Sequence, residues 1–174
     1  MCVGCGSVQP PPVVPDVYAI LGLPRRYRVS AQLVEEAYRA RARLVHPDRF
    51  AGKPAVERRM SLQWTAALNE ARRVLKDDLR RARWLATGKA EPREERGPAL
   101  DPAFLAEIFE WREADEESPG ALTDQARARG AELRKEIEEI FIAWEEGRGD
   151  LSQVEDRLSR LKYVDGLVRE TAEP

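Results

Sequence analysis

Pro47 interrupts two long stretches in which apolar residues recur at every third or fourth position. Proline disfavours helical geometry in the residue before it, so a helix arriving through His46 has to stop there. Upstream, a helix is predicted from Ser30 to Val45. Leu33, Ala37, Ala40 and Leu44 share one of its faces, Val34, Tyr38 and Val45 border that face, and Arg39, Arg43, Glu35 and Glu36 point the other way. Downstream, Val56, Met60, Trp64, Ala67, Leu68, Ala71, Val74 and Leu75 form a second stripe, on a helix predicted from about Pro54 to Lys76. The two helices can bury their stripes against each other only if the chain reverses in the loop His46–Lys53. An antiparallel helical hairpin is the expected result.

The rest of the chain also reads as helix, with no alternating run enriched in β-branched residues. Asp16, a predicted N-cap, and Gly22, a predicted stop, bound a short helix before the hairpin; another, Asp78 to Ala86, follows it. Pro10, Pro11, Pro12 and Pro15 make residues 6–15 an extended lead-in. Residues 87–100 carry glycine, proline and charge without periodicity, as linkers do. Asp101-Pro102 then starts a helix running to Glu117, Ser118-Pro119 starts a longer one to Glu146, and Gly147 and Gly149 break it. Asp150 with Gln153 resembles a capping box opening a last helix to Arg169. Short connections make these three an antiparallel bundle. The expected organisation is all-α: a Cys-containing segment 1–15, a hairpin domain 16–86, a linker 87–100 and a three-helix domain 101–174.

Charge divides the same way. From Arg25 to Arg83, 16 Lys and Arg stand against 7 Asp and Glu, a net of +9; from Asp101 to Pro174 the figures are 10 and 20, a net of −10. The near-neutral total therefore hides a basic half and an acidic half, suited to different partner surfaces. No apolar run approaches the roughly 18 residues of a membrane-spanning helix, so no membrane partner is expected. The N-terminus has neither the basic and apolar segments of a secretory signal nor the composition of a transit peptide, which points to the cytoplasm. Cys2 and Cys5 form half of a four-cysteine zinc site; no cofactor is required by anything else in the chain.

The residue types that carry catalysis are sparse. His46 is the single histidine, Gly52-Lys53 and Gly88-Lys89 lack the rest of a phosphate loop, and no Ser or Cys has a nucleophile-elbow context. The chain is not expected to be an enzyme. A basic helical nucleic-acid module is the competing reading, but aromatic residues are not interleaved with the basic ones and no recognition-helix motif occurs. The informative segment is His46-Pro47-Asp48. Proline fixes the backbone, Asp48 can cap the loop, and a polar ring is left at the tip, beside a helix that exposes Arg39 and Arg43.

That combination resembles a J-domain. VYAILGLPRRYRV, LVHPDRF and AALNEARRVLKDDLRRARWL look like the HscB (or Jac) family of iron–sulfur co-chaperones, and DPAFLAEIFEWREADEE is similar to that family's client-binding helix. The resemblance covers roughly residues 14–168. It implies an N-terminal J-domain that stimulates a DnaK/HscA-type ATPase chaperone and a C-terminal three-helix domain that binds an IscU-type iron–sulfur scaffold; another client is the alternative. By the same resemblance, His46, Pro47, Asp48, Arg39 and Arg43 contact the chaperone. Leu105, Ala106, Phe109, Glu110, Glu113, Glu117 and Tyr163 contact the scaffold. CVGCGSVQPP resembles the second of two cysteine pairs found in some relatives. Two positions depart from the pattern: Arg41 stands where an apolar core residue is usual, and must snorkel or pair with an acid; Ala106 replaces a larger apolar residue.

Overall fold

The computed structural model describes residues 9–13, 15–91 and 100–171, and among them every regular element is helical. The chain divides into two compact units, Met1–Trp84 and Leu85–Pro174. In the first, α1 (Val17–Leu21), α2 (Ala31–Val45), a 3-10 turn (Pro47–Phe50) and α3 (Ala55–Lys76) are followed by α4 (Asp78–Thr87), within which the division falls. The second holds α5 (Pro102–Glu117), α6 (Ala121–Glu145) and α7 (Val154–Glu170). No described helix is long and apolar enough to cross a membrane.

In the first unit α2 and α3 pack as the expected hairpin, and α1 lies mainly on α3. Asp16 caps α1 by accepting from the amides of Tyr18 (2.8 Å) and Ala19 (3.2 Å). Gly22 closes it in the left-handed region, φ 64°, which a side chain enters at a cost of roughly 1–2 kcal/mol. The core gathers Tyr18, Ile20, Leu21, Val34, Leu68, Ala71, Val74 and Leu75, all but inaccessible to solvent. Buried Arg81 ties the segment before α2 to the α3–α4 junction: its Nε donates to the Tyr27 carbonyl at 2.6 Å and its Nη1 to that of Leu75 at 2.5 Å.

The inward arc of α2 differs from the predicted one. Val34 and Val45 are buried and Tyr38 half-buried, while Leu33 and Leu44 are exposed. The face toward the unit's interior is thus 34, 38, 41 and 45, one residue out of phase with the stripe through Leu33 and Leu44. Arg41 falls in the middle of it. It remains exposed and has no acidic partner among the described residues; its guanidinium lies over Gly22, so close that a Cβ there would sit 1.8 Å from Nη2. Arg41 therefore snorkels, with its stem along the arc and its head over the end of α1. Glu35 does not point away either. It bridges to α3 through Arg72 Nε (2.8 Å) and Lys76 Nζ (3.6 Å).

In the second unit α6 packs along both α5 and α7. Phe104, Ile108 and Trp111 of α5 meet a core that includes Leu133, Ile137 and Phe141 of α6 and Leu158, Leu161 and Val164 of α7. Two predicted starts shift. α6 begins at Ala121 after Gly120 (φ 99°), not at Ser118-Pro119, because Asp115 at the end of α5 accepts from the amides of Gly120 (2.9 Å) and Leu122 (3.1 Å). The capping box at Asp150 and Gln153 does not form: Asp150 accepts from the Ser152 amide at 2.8 Å in a local turn, and α7 starts at Val154 without a side-chain cap.

Candidate functional site

The loop between α2 and α3 is shaped by bonds to its own backbone. Buried Ser61 of α3 donates its hydroxyl to the Val45 carbonyl at 2.7 Å, fixing the residue before His46. Arg49 reaches back to the Arg43 carbonyl at 2.9 Å, and its amide donates to the His46 carbonyl at 3.0 Å. Phe50 is buried and the 3-10 turn packs on α3. His46 itself is extended, φ −59° and ψ 132°, as a residue before proline must be. Its Nδ1 accepts from the Asp48 amide at 3.3 Å, so the imidazole, rather than the Asp48 carboxylate expected from sequence, caps the turn. The Asp48 carboxylate lies 3.5 Å from the same nitrogen, and the side chains of His46 and Asp48 are 56% and 89% exposed. The ring and the carboxylate are thus offered to solvent together on a held backbone.

Arg39 and Arg43 are both exposed, but they differ. Arg39 pairs with Glu35 at 3.3 Å, sharing that carboxylate with Arg72 and Lys76. The Arg72 hydrogen bond, ahead of the charges of Lys76 and Arg39, holds the Glu35 carboxyl below its usual range. Among the described residues Arg43 donates, through Nε, only to the Arg39 carbonyl, at 3.2 Å. Sequence reasoning passed over Ser61, Arg49 and Phe50. Ser61 carries a faint signal, a small polar residue in phase with Leu68 and Leu75 on the buried side of α3.

On α5, Phe104, Ile108 and Trp111 point inward while Phe109 is 66% exposed and Leu105 half-buried. Ala106, Glu110, Glu113 and Glu117 are exposed on the outer side. Asp101, the N-cap of α5, turns toward α7, where Arg160 Nη2 lies at 3.5 Å. Helical phase puts Leu105 and Phe109 on that same side of α5, where half-buried Tyr163 meets Phe104 edge-on with 6.3 Å between centroids. The apolar arc on α5 is therefore divided between core and solvent. Cys2 and Cys5 lie outside the described residues.

Charged pairs also cross between the helices of this unit. Glu107 of α5 is 3.9 Å from Arg129 of α6, which pairs with Glu136 at 2.9 Å. Glu136 meets Arg157 of α7 at 2.6 Å, Arg157 meets Asp156 at 2.5 Å, and Asp156 meets Arg160 at 3.0 Å. Arg160 reaches Asp101, back on α5, and covers the Phe104 ring at 5.3 Å. The alternation links all three helices. Burial disfavours the charge on Arg129, but hydrogen bonds to Glu136 and Glu132 outweigh it and raise its pKa further.

A helical hairpin with an outward-facing His-Pro-Asp loop, joined in one chain to an acidic helical bundle, defines a J-domain co-chaperone. Residues 16–84 match the DnaJ domain and residues 100–171 the HSCB C-terminal oligomerisation domain. The chain is 35% identical over 160 residues to the "Co-chaperone protein HscB homolog" of Bordetella petrii, covering 90% of this chain and 94% of that one. It is 34% identical over 160 residues to the homolog of Azoarcus sp., covering 89% and 90%. Among solved structures, human co-chaperone protein HscB shares the fold with a TM-score of 0.76 at 24% identity, over 99% of this chain and 88% of that one. Chaperone HscB from Vibrio cholerae aligns with a TM-score of 0.65 at 26% identity, over 91% and 96%. The chain belongs to the HscB family of iron–sulfur J-domain co-chaperones.

Proposed function

We propose that the chain stimulates ATP hydrolysis by a DnaK/HscA-type chaperone through His46, Pro47 and Asp48, with Arg39 and Arg43 beside them, and brings it an IscU-type iron–sulfur scaffold held on α5. The observation that carries the reading is the loop: a polar ring and a carboxylate exposed together on a backbone fixed from both flanking helices. Such a surface, a ring and a carboxylate turned together to solvent, is suited to engaging a partner. Phe109, exposed beside half-buried Leu105 and edged by Glu110, Glu113 and Glu117, has the layout of a recognition face, an apolar centre with a charged rim. Tyr163 lies on the same side of the bundle. Cys2 and Cys5 supply two of the four thiolates of a structural zinc site, so zinc on this chain needs further ligands, from a second chain or an upstream pair. Work in the cytoplasm accords with these partners.

The test is ATPase stimulation of a DnaK-type chaperone by His46→Gln, with the helical circular-dichroism spectrum as control. Loss of stimulation in a folded protein is expected; full stimulation would overturn the assignment. A client other than the scaffold would leave scaffold binding undetectable in calorimetry while stimulation persisted.

A further inference from the structure

α1 is much shorter than the helix it packs on: 5 residues against the 22 of α3. Ser61 marks the side of α3 that faces α2, through the Val45 carbonyl, and Asn69, which accepts from the Tyr38 hydroxyl at 2.8 Å, marks one flank of that side. Met60, Trp64, Ala67 and Ala71, spaced by three and four, fall on the other flank. Burial declines along this stripe toward the start of α3. Ala71 is closed to solvent, while Ala67, Trp64 and Met60 are only half-buried. A short α1 leaves this end of the stripe uncovered.

The segment ahead of α1 meets it there. The Trp64 indole donates through Nε1 to the Gln9 carbonyl at 2.6 Å, a bond between residues 55 apart in sequence. Of the three consecutive prolines that follow, Pro11 is half-buried while Pro10 and Pro12 are exposed, so one ring of the three is covered. Gln9, Pro10 and Pro11 each precede a proline and are held extended, which makes the segment a polyproline-II rod before it meets anything. Such a rod leaves its carbonyls without internal partners and loses little entropy on docking. An indole offers what it lacks: a flat apolar face for a ring and one N–H for a carbonyl.

We propose that α3 carries a proline-recognition site built on Trp64, and that the chain's own residues 9–12 occupy it as a strap. The class of ligand is a polyproline-II segment that presents a free carbonyl two residues before its seated ring. The chain's own segment is the occupant because it is tethered. Residues 13–15 alone separate it from the Asp16 cap of α1, and so short a link holds it beside Trp64 at an effective concentration on the order of millimolar. The strap takes over the stripe where α1 ends. Seated by one hydrogen bond and one ring, it opens locally well before the core does.

Hydrogen exchange at the tryptophan indoles of the full-length chain, read by NMR, tests this. Trp64→Phe identifies the Trp64 signal among the four indoles, and Trp84, buried in the same unit, reports any general loosening. In the wild type the Trp64 indole is expected to exchange more slowly than a free one, although its ring is half in water. Pro12→Gly frees the backbone and removes only an exposed ring, so exchange at Trp64 should quicken roughly 2- to 5-fold. Pro11→Gly frees it equally and also removes the covered ring, for roughly 10- to 30-fold in all. Pro10→Gly, Pro11→Gly and Pro12→Gly together should bring Trp64 to the free-indole rate with Trp84 unchanged. Free-indole exchange already in the wild type, or wild-type protection in the triple variant, would overturn the strap. Equal effects of Pro11→Gly and Pro12→Gly would overturn the recognition site, since stiffness alone would then hold the segment. A rise at Trp84 matching that at Trp64 would make the opening global and count against both.

Discussion

The two units present their surfaces by different means. In the J-domain the exposed groups lie on a loop, held by bonds that span at most 16 residues: Ser61 to Val45, Arg49 to Arg43, Asp48 to His46. In the acidic bundle they lie on the outer side of one helix, whose setting depends on partners far along the chain, Arg160 for Asp101 and Arg129 for Glu107. A locally built site can be lost by one substitution without unfolding. A site on a packed helix stays only as well placed as the helix beneath it. The first place to break the comparison is therefore the loop. His46→Gln is expected to remove ATPase stimulation entirely while leaving scaffold affinity and melting unchanged.

The counterpart in the bundle is Leu105→Ala with Phe109→Ala, expected to weaken scaffold binding by about 2–4 kcal/mol while stimulation without scaffold persists. The pair separates two roles. Phe109 is exposed, so its truncation leaves the fold alone; half-buried Leu105 also supports packing, and its truncation lowers the melting temperature slightly. Calorimetry with melting curves reads both. Normal binding by the double variant would show that the scaffold docks elsewhere.

Gly22→Ala sharpens the contrast on the J-domain side. It places a Cβ at φ 64° and against the Arg41 guanidinium. About 1–2 kcal/mol of stability is expected to be lost from that unit in urea titration. Adding Arg41→Leu removes the clash but not the backbone strain, so it should recover only part of the loss. Glu136→Gln makes the corresponding cut in the bundle. It takes one carboxylate from both Arg129 and Arg157 and is expected to cost about 1 kcal/mol, discounted because both arginines keep some access to water.

The two units were also unequally legible from sequence. The hairpin followed from Pro47 and two stripes, and the His-Pro-Asp loop from three adjacent residues. The phase of α2 did not, because Arg39, Arg41 and Arg43 alternate with small residues and leave two apolar arcs of similar strength. The arc with Leu33 and Leu44 carries more aliphatic bulk, yet the helix turns the arc with Arg41 inward, since a long side chain can exit over a glycine. In the bundle the three helices were legible from their periodicity, and Phe109, placed on a partner face by resemblance alone, is exposed. The charge chain through Glu136 and Arg157 was hidden, because it joins residues whose proximity only the tertiary fold creates. The late start of α6 was hidden likewise: Asp115 caps from the preceding helix, a position that local start signals do not reach.

The smallest expected effect is the pH dependence of the J-domain hairpin. Glu35 joins α2 to α3 through Arg72 and Lys76, and its carboxyl is held below the ordinary 4.5, first by the Arg72 hydrogen bond and then, against burial, by neighbouring charge. A carboxyl whose pKa is lowered by folding binds protons more readily when unfolded. Its contribution is therefore complete above the ordinary value of 4.5 and drains as the pH falls through the lower folded value. Glu35→Gln removes the titration while keeping size and some hydrogen bonding. The melting temperature of the J-domain transition is expected to be lower in the variant at pH 7, and the gap to close as the pH is taken down through the lowered folded value. Raising salt at pH 7 should narrow it as well, since Arg39, Arg72 and Lys76 are all in contact with water and the attraction is screened over about 8–10 Å. Acid titration of the bundle transition supplies the comparison, because Glu35 lies outside that unit and its replacement leaves that curve where it was. A gap that widened in acid would mean that Glu35 is more readily protonated in the folded hairpin than in the unfolded chain, contrary to its ion pairs with α3.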